Sequence, residues 1–281
     1  MAPIRAASEP VEFNIGISVK SLSGVNKLDA EITLKAIAQL ISKRTGIDLL
    51  FSTWVYEDVS DLERDAREGN LHLVSTLSHD FLRIRNSAKL DPVFVAARNQ
   101  DPYKRFLMLI RRERSDSGLA GLKKGRLLVS VTKNNDLPHI WVDTLVRKTE
   151  LAGSGRQFFG QIEEMERPSK AVLPVFFEKA DACLVLRSSY ETIVEMNPQI
   201  ANQLSILEQS DDVLMSVVCV CKSVTLQEME RIKLEIANLH THEAGRQLLA
   251  VFKVGQHIPF QESHLTSVKA LLAEHEKGER E

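Results

Sequence analysis

The sequence predicts an α/β protein of two lobes, and three observations carry that reading. Residues Ser169–Tyr190 run as a short amphipathic helix, then Ala180-Asp181-Ala182, a dense apolar strand and a polar end at Arg187-Ser188-Ser189. Residues Leu62–Ser78 repeat the order with a helix, Gly69, the apolar run Leu71–Val74, and then Ser75, Thr76 and Ser78. Helix followed by buried strand is the unit of a parallel sheet, and ligands of open α/β sheets sit beyond the carboxyl ends of the strands. The third observation is a pair of long apolar strands, Tyr103–Arg112 and Val213–Cys221, where the chain is expected to pass from one lobe to the other. Lobe I is then residues 11–105 and 213–275, lobe II is residues 106–212, and residues 1–10 and 276–281 are tails. Two such hinge crossovers leave a cleft between the lobes.

Each element follows from local pattern. Val11–Val19 alternates and is rich in Val, Ile and Phe, so it reads as the first strand. Asp29–Ser42 carries Ile32, Leu34, Ile37, Leu40 and Ile41 at helical spacing, with Gly46 as a stop. Ile47–Trp54 is a strand, Val59–Glu68 a polar helix ending at Gly69, Leu71–Val74 a strand and Thr76–Ile84 a helix. Val93–Ala97 follows Asp91-Pro92 as a further strand, so the first hundred residues give a parallel βαβαβαβ lobe. Arg126–Val131 is a strand. Asn134-Asn135-Asp136-Leu137-Pro138 is a helix-start signature, with capping side chains and Pro in the first turn, for a helix over 138–151. Gly153–Phe159 is a turn, Thr192–Met196 a short helix and Gln203–Glu208 a strand. Three helices close the chain, over 225–239, 244–252 and 262–274, the first opened by a capping box of Thr225 and Glu228. The Lys/Glu-rich end from His275 reads as a frayed tail.

Composition narrows the functional classes. The 281 residues carry 36 basic and 38 acidic side chains, a net charge of −2, so no global field points to nucleic acid or to an anionic membrane. No apolar run reaches the length of a membrane span. Three Cys make no disulfide framework, and all three read as small buried residues. The first ten residues lack the apolar core of a signal peptide. They fit both the mature end of a secreted protein and a cytosolic start with a loose tail. The chain has no nucleophile elbow, P-loop, HExxH or dinucleotide fingerprint, so neither an enzyme nor a cofactor is expected.

The ordered set of features resembles a known family. A Gly-Ile strand near the start is followed by helix, Gly69 and strand, then Asp91-Pro92 and Tyr103 opening a strand. The connector Ala120-Gly121-Leu122-Lys123-Lys124-Gly125-Arg126 comes next, then Phe158-Phe159, then Val175–Ala182 with its Ala-Asp-Ala. Over about residues 11–272 this resembles the phosphate, phosphite and phosphonate substrate-binding proteins of ABC importers, which have the type II periplasmic binding-protein fold. The resemblance implies a monomeric, periplasmic or extracytoplasmic solute-binding protein that serves a membrane permease, its signal peptide removed. Three departures stand out. The family's Ser/Thr/Gly-rich turn after the strand ending near Val131 is here Thr132-Lys133-Asn134-Asn135-Asp136-Leu137-Pro138-His139. Its Ser-His before the later helix is here Pro168-Ser169-Lys170. Its Gly ahead of the Asp-Ala is Glu178.

The expected ligand is a small anion, phosphonate- or phosphate-like, and the candidate contacts are the residues at strand ends and helix starts. Thr132, Lys133, Asn134 and Asn135 open one helix and Ser169 with Lys170 opens another, where free N–H groups attract anions. An ordinary cap with a solvated Lys accounts for the same pattern about as well. Ser18, Ser21, Thr76 and Ser78 follow lobe I strands. Tyr103 and Arg105 lie at a crossover, and Arg187 ends the central strand of lobe II with a fork suited to an oxyanion or to an acidic neighbour. Tyr56 follows the second strand and, like Trp54 and Trp141, is either pocket lining or core. Asp181 reads as a structural turn residue. Two other functions remain open at this point: a ligand-sensing domain without transport, and an enzyme of cofactor-precursor synthesis on the same scaffold. For the enzyme, Lys133, Lys170 and His139 are the only reactive candidates.

Overall fold

The structure is a computed structural model that describes residues 10–22, 24–131, 135–222 and 227–280. In chain order it has β1 (Val11–Ser18), α1 (Lys27–Thr45), β2 (Leu49–Tyr56), α2 (Val59–Glu68), β3 (Leu73–Leu77), α3 (Ser78–Ile84) and β4 (Leu90–Ala97). There follow β5 (Tyr103–Lys104), β6 (Phe106–Arg111), β7 (Arg126–Ser130), α4 (Leu137–Lys148), α5 (Gly155–Phe158) and β8 (Gln161–Glu164). Next come α6 (Pro168–Phe176), β9 (Ala182–Leu186), α7 (Arg187–Met196), α8 (Gln199–Gln203), β10 (Leu204–Gln209) and β11 (Val213–Leu214). The chain ends with β12 (Ser216–Cys221), α9 (Met229–Asn238), α10 (Glu243–Val251), β13 (Gln256–Pro259) and α11 (Thr266–Arg280). The capping box expected at Thr225 and Glu228 lies partly outside the described residues.

Two compact units divide the chain. The first is residues 1–102 with 216–261, and the second is residues 103–215 with 262–281. The chain therefore passes between units at three places, where the sequence reading has two crossovers and keeps residues up to 275 in lobe I. The difference is the last helix. Leu265 and Val268 are fully buried, and α11 packs on α4 and β11 of the second unit. The expected tail is also helix: the backbone carbonyl of His275 accepts a 2.8 Å bond from Arg147 Nη1.

The first unit is a six-stranded sheet in the order β13-β4-β12-β3-β1-β2. β1, β2 and β3 are parallel, as expected, but β12 enters between β3 and β4 and runs antiparallel to both. Periodicity read Val213–Cys221 as one crossover strand; instead it breaks at Met215, and Val217 and Cys219 bury completely inside this sheet. β13, unexpected from sequence, adds an antiparallel edge beside β4. α1 is capped by Asn26, whose side chain accepts from Asp29 N, and it turns Ala30, Thr33, Ala38 and Ile41 inward, while Ile32 is exposed. α2 is capped by Asp58 on Ser60 N and stopped by Gly69 at φ 84°, a left-handed conformation that favours glycine.

The second unit is a five-stranded sheet, β10-β6-β9-β7-β8. β7, β8 and β9 are parallel, while β6 and β10 close one side antiparallel. Residues 106–110 of β6 are all buried because helices cover both faces. β8, a charged four-residue edge strand, was invisible to hydrophobic pattern; it is held beside β7 in part by Arg126 Nε bonding Glu163 at 2.7 Å. α7 begins at Arg187, five residues earlier than expected.

One close approach supplies a stability test. Gly245 in α10 is buried, and a Cβ there would run into the backbone carbonyl of Leu239. Gly245→Ala is expected to lower the unfolding free energy of the first unit by about 1–3 kcal/mol, measured by urea denaturation. An unchanged midpoint would show that this contact relaxes freely.

Candidate functional site

In the second unit, β7 and β9 run parallel and each leads towards a helix at its carboxyl end. Ser130 ends β7, is 2% exposed, and its Oγ has no hydrogen-bond partner among the described residues. Asn135 stands just ahead of α4 and is equally buried. Its Oδ1 accepts from Leu137 N at 3.0 Å, and its Nδ2 has no partner among the described residues. A buried donor without an acceptor costs free energy, so these two groups are the strongest marks of a polar site in this unit. They stand on either side of residues 131–134, ahead of the twelve-residue helix α4, whose first N–H, on Leu137, is already bonded to Asn135 and whose second residue, Pro138, has none. Of the four candidates here, Thr132, Lys133 and Asn134 lie outside the described residues and Asn135 alone is placed. Ser130 was missed. Its only signal is a hydroxyl directly after the apolar run Leu127–Val129.

Most of the other candidates of this unit have partners of their own. Ser169 is half-buried in the first turn of α6, and Lys170 is exposed, with its Nζ 3.6 Å from Glu166. Arg105 places Nε and Nη2 on Asp212 at 2.5 and 3.1 Å, and that guanidinium bond, against a smaller effect of burial, holds the Asp212 carboxyl below its ordinary range. Arg187 donates from Nη2 to Gln209 at 2.6 Å and lies 3.8 Å from Glu191, while its Nε is shielded without a partner among the described residues. Tyr103 meets the ring of His264 edge-on, with centroids 6.0 Å apart. His139 pairs with Glu164 at 3.1 Å.

In the first unit, the carboxyl ends of β1, β2 and β3 bring together Ser18, Tyr56, Thr76 and Ser78. Ser18, Thr76 and Ser78 are buried, and Thr76 Oγ1 has no hydrogen-bond partner among the described residues. Ser21 donates to Ser18 O at 2.8 Å, which fixes the turn after β1. Tyr56 donates to Asp65 Oδ2 at 2.7 Å; burial, and then that bond, push its hydroxyl well above the ordinary range. Asp80 Oδ1 accepts from Arg83 at 3.2 Å. The aromatics divide, since Trp141 is buried against Phe106 and Trp54 is largely exposed.

Residues of chemical interest elsewhere are structural. Asp181 Oδ2 accepts from Arg126 N at 2.7 Å and Oδ1 from Arg114 Nη1 at 2.5 Å. Burial pushes the Asp181 carboxyl up, but the two bonds outweigh it and hold the group below its ordinary value. All three cysteines are buried, and burial raises the Cys221 thiol to about 12, which removes its thiolate near neutrality. Among the described residues no three of His, Cys, Asp and Glu are grouped as metal ligands, and no helix is long and apolar enough to cross a membrane.

Residues 26–265 match the family of ABC transporter, phosphonate, periplasmic substrate-binding proteins. The chain belongs to this family. Membership carries the family's role, which is to bind a small solute on the extracytoplasmic side and serve a membrane permease. No curated protein sequence matches the chain, whereas many solved structures share its fold. XAC2383 from Xanthomonas citri, bound to chloride ion, is 13% identical with a TM-score of 0.69, over 96% of this chain and 99% of that one. A binding protein component of an ABC phosphonate transporter from Pseudomonas aeruginosa is 12% identical with a TM-score of 0.65, over 96% and 88%. PhnD1 from Prochlorococcus marinus, in complex with methylphosphonate, is 14% identical with a TM-score of 0.63, over 95% and 99%. The two-sheet α/β architecture is similar to that of type II periplasmic binding proteins.

Two tests follow from the site's geometry. Ser130→Ala is expected to leave the unfolding free energy unchanged or to raise it by up to about 1 kcal/mol, because the hydroxyl it removes has no partner among the described residues; a clear loss in urea denaturation would give Ser130 a structural partner. Asp181→Asn is expected to cost about 1–2 kcal/mol at neutral pH, a modest figure because the pair is partly exposed. A carboxyl depressed on folding stabilises fully above its unfolded value near 4 and less as pH falls through its folded value. The gap between Asp181→Asn and the native chain should therefore close below about pH 4, and a constant gap from pH 7 to pH 3 would count against the bond.

Proposed function

We propose that this protein captures a small oxyanion of the phosphonate and phosphate class for an ABC importer, with Ser130 and Asn135, between β7 and α4, as its main anion contacts. One observation carries the reading: Ser130 Oγ and Asn135 Nδ2 are buried donors without partners among the described residues, at the end of β7 and just ahead of α4. A tetrahedral oxyanion accepts from a hydroxyl, an amide and backbone N–H groups together. Thr76 offers the corresponding unsatisfied hydroxyl at a strand end of the first unit. The methylphosphonate held by PhnD1 supports the same ligand class. The chain acts as a monomer at the permease, in the periplasm or its extracytoplasmic equivalent.

The arrangement favours charge and shape only loosely. Arg105 is committed to Asp212, Lys170 is exposed and near Glu166, and Arg187 is held by Gln209 and lies near Glu191, so none of these three cations is set aside to discriminate one anion from another. Calorimetric titration with methylphosphonate, phosphate, phosphite, a short sulfonate and acetate is expected to show binding across the tetrahedral anions with a shallow ranking. Asn135→Ala should weaken that binding by about 10- to 100-fold, as for a charge-assisted bond in a buried site. Lys170→Ala should change it by less than about 2-fold, as for an exposed and screened charge. Silence for every anion, together with binding of a neutral solute, would overturn the reading.

A further inference from the structure

The first unit contains a cavity that the solute site does not use. It lies on the helix-covered face of the six-stranded sheet and has a volume of about 150 Å³. Ile15, Leu73 and Val218 form its floor on β1, β3 and β12, and Ile37, Ile41 and Leu249 cover it from α1 and α10. The rings of Phe13, Phe51 and Phe252 stand along its walls. Of the candidate solute contacts in this unit, Ser18, Thr76 and Ser78 sit at strand ends and do not line this chamber, while Ser21 touches it.

Three properties define what it can hold. No Lys, Arg, Asp or Glu lines it, so a carboxylate, phosphate or ammonium would enter without a counter-charge. Its walls are mostly aliphatic and aromatic, and a cavity of this volume accepts a single six-membered ring. A few polar side chains interrupt the lining: Ser21, Ser75, Ser216 and His257. Ser21 is already committed to Ser18 O. His257 Nδ1 is shielded from solvent and has no hydrogen-bond partner among the described residues. Burial, and secondarily the neighbouring His240, lower that imidazole to about 4, so it is neutral and keeps one ring nitrogen as an acceptor and one as a donor.

We propose that this chamber is a second ligand site, for a small neutral aromatic molecule bearing one hydroxyl, such as a phenol, with the ring among the apolar side chains and the hydroxyl on His257. A ring in the chamber recovers contacts that its walls lack when it is empty. A hydroxyl both donates and accepts, so it satisfies His257 in either tautomer.

The test uses the full chain with phenol and benzene as probes and benzoate as the charged control. Phenol and benzene at millimolar concentration are expected to raise the melting temperature by a few degrees through linkage, and benzoate is not. His257→Leu should erase a preference for phenol over benzene of about tenfold, the size of one hydrogen bond, while benzene binding stays. Ala38→Leu, which places bulk in the chamber from α1, should abolish binding of both. No shift with either ring, equal binding of benzoate, or phenol binding untouched by Ala38→Leu would each overturn the proposal. A crystal of the native chain soaked in phenol decides the matter even where a variant fails to fold. Ring density beside His257 supports the site, and a chamber that is empty or holds ordered water alone overturns it.

Discussion

The second unit depends on one reciprocal contact. Asp181 N donates to Arg126 O at 3.1 Å, and Arg126 N donates back to the Asp181 carboxylate. The pair ties the start of β9 to the start of β7 and so fixes their parallel register, Leu127 beside Ala182 through Ser130 beside Val185. A slip of one residue would turn every side chain of β7 to the opposite face, and Ser130 would leave its position ahead of α4. The polar site at one end of the sheet is thus placed by an ion-paired turn at the other. Arg114 completes that turn from the 3₁₀ segment after β6.

Much of this architecture was legible because it is written in local pattern. The amphipathic helices, the Gly46 and Gly69 stops and the two helix–strand units follow from spacing and stop chemistry alone, whereas the Asn26 and Asp58 caps are seen only in the structure. What escaped is settled by tertiary pairing. β8 and β13 are short and carry no hydrophobic period, and they exist because a neighbouring strand offers a ladder. β12 reads as apolar in either unit, and only packing assigns it between β3 and β4. The site was partly legible for the same reason. Asn135 announces itself through the helix-start signature, whereas Ser130 looks like any serine that ends a strand. Arg105 reads as an available cation until Asp212, 107 residues away, closes on it, and Tyr56 likewise meets Asp65.

The family's fold persists here at 12–14% identity to the solved structures described. On either side of residues 131–134 the scaffold sets two buried polar groups, Ser130 at the end of β7 and Asn135 ahead of α4.

The last helix has a consequence for how the chain is made. The first unit is complete once residue 261 has been synthesised, but the second includes residues 262–281. Domains fold as their residues leave the ribosome, so the second unit, begun at residue 103, must wait for residues 262–281. Until α11 arrives, the faces of α4 and β11 that it covers are open to water and to other chains.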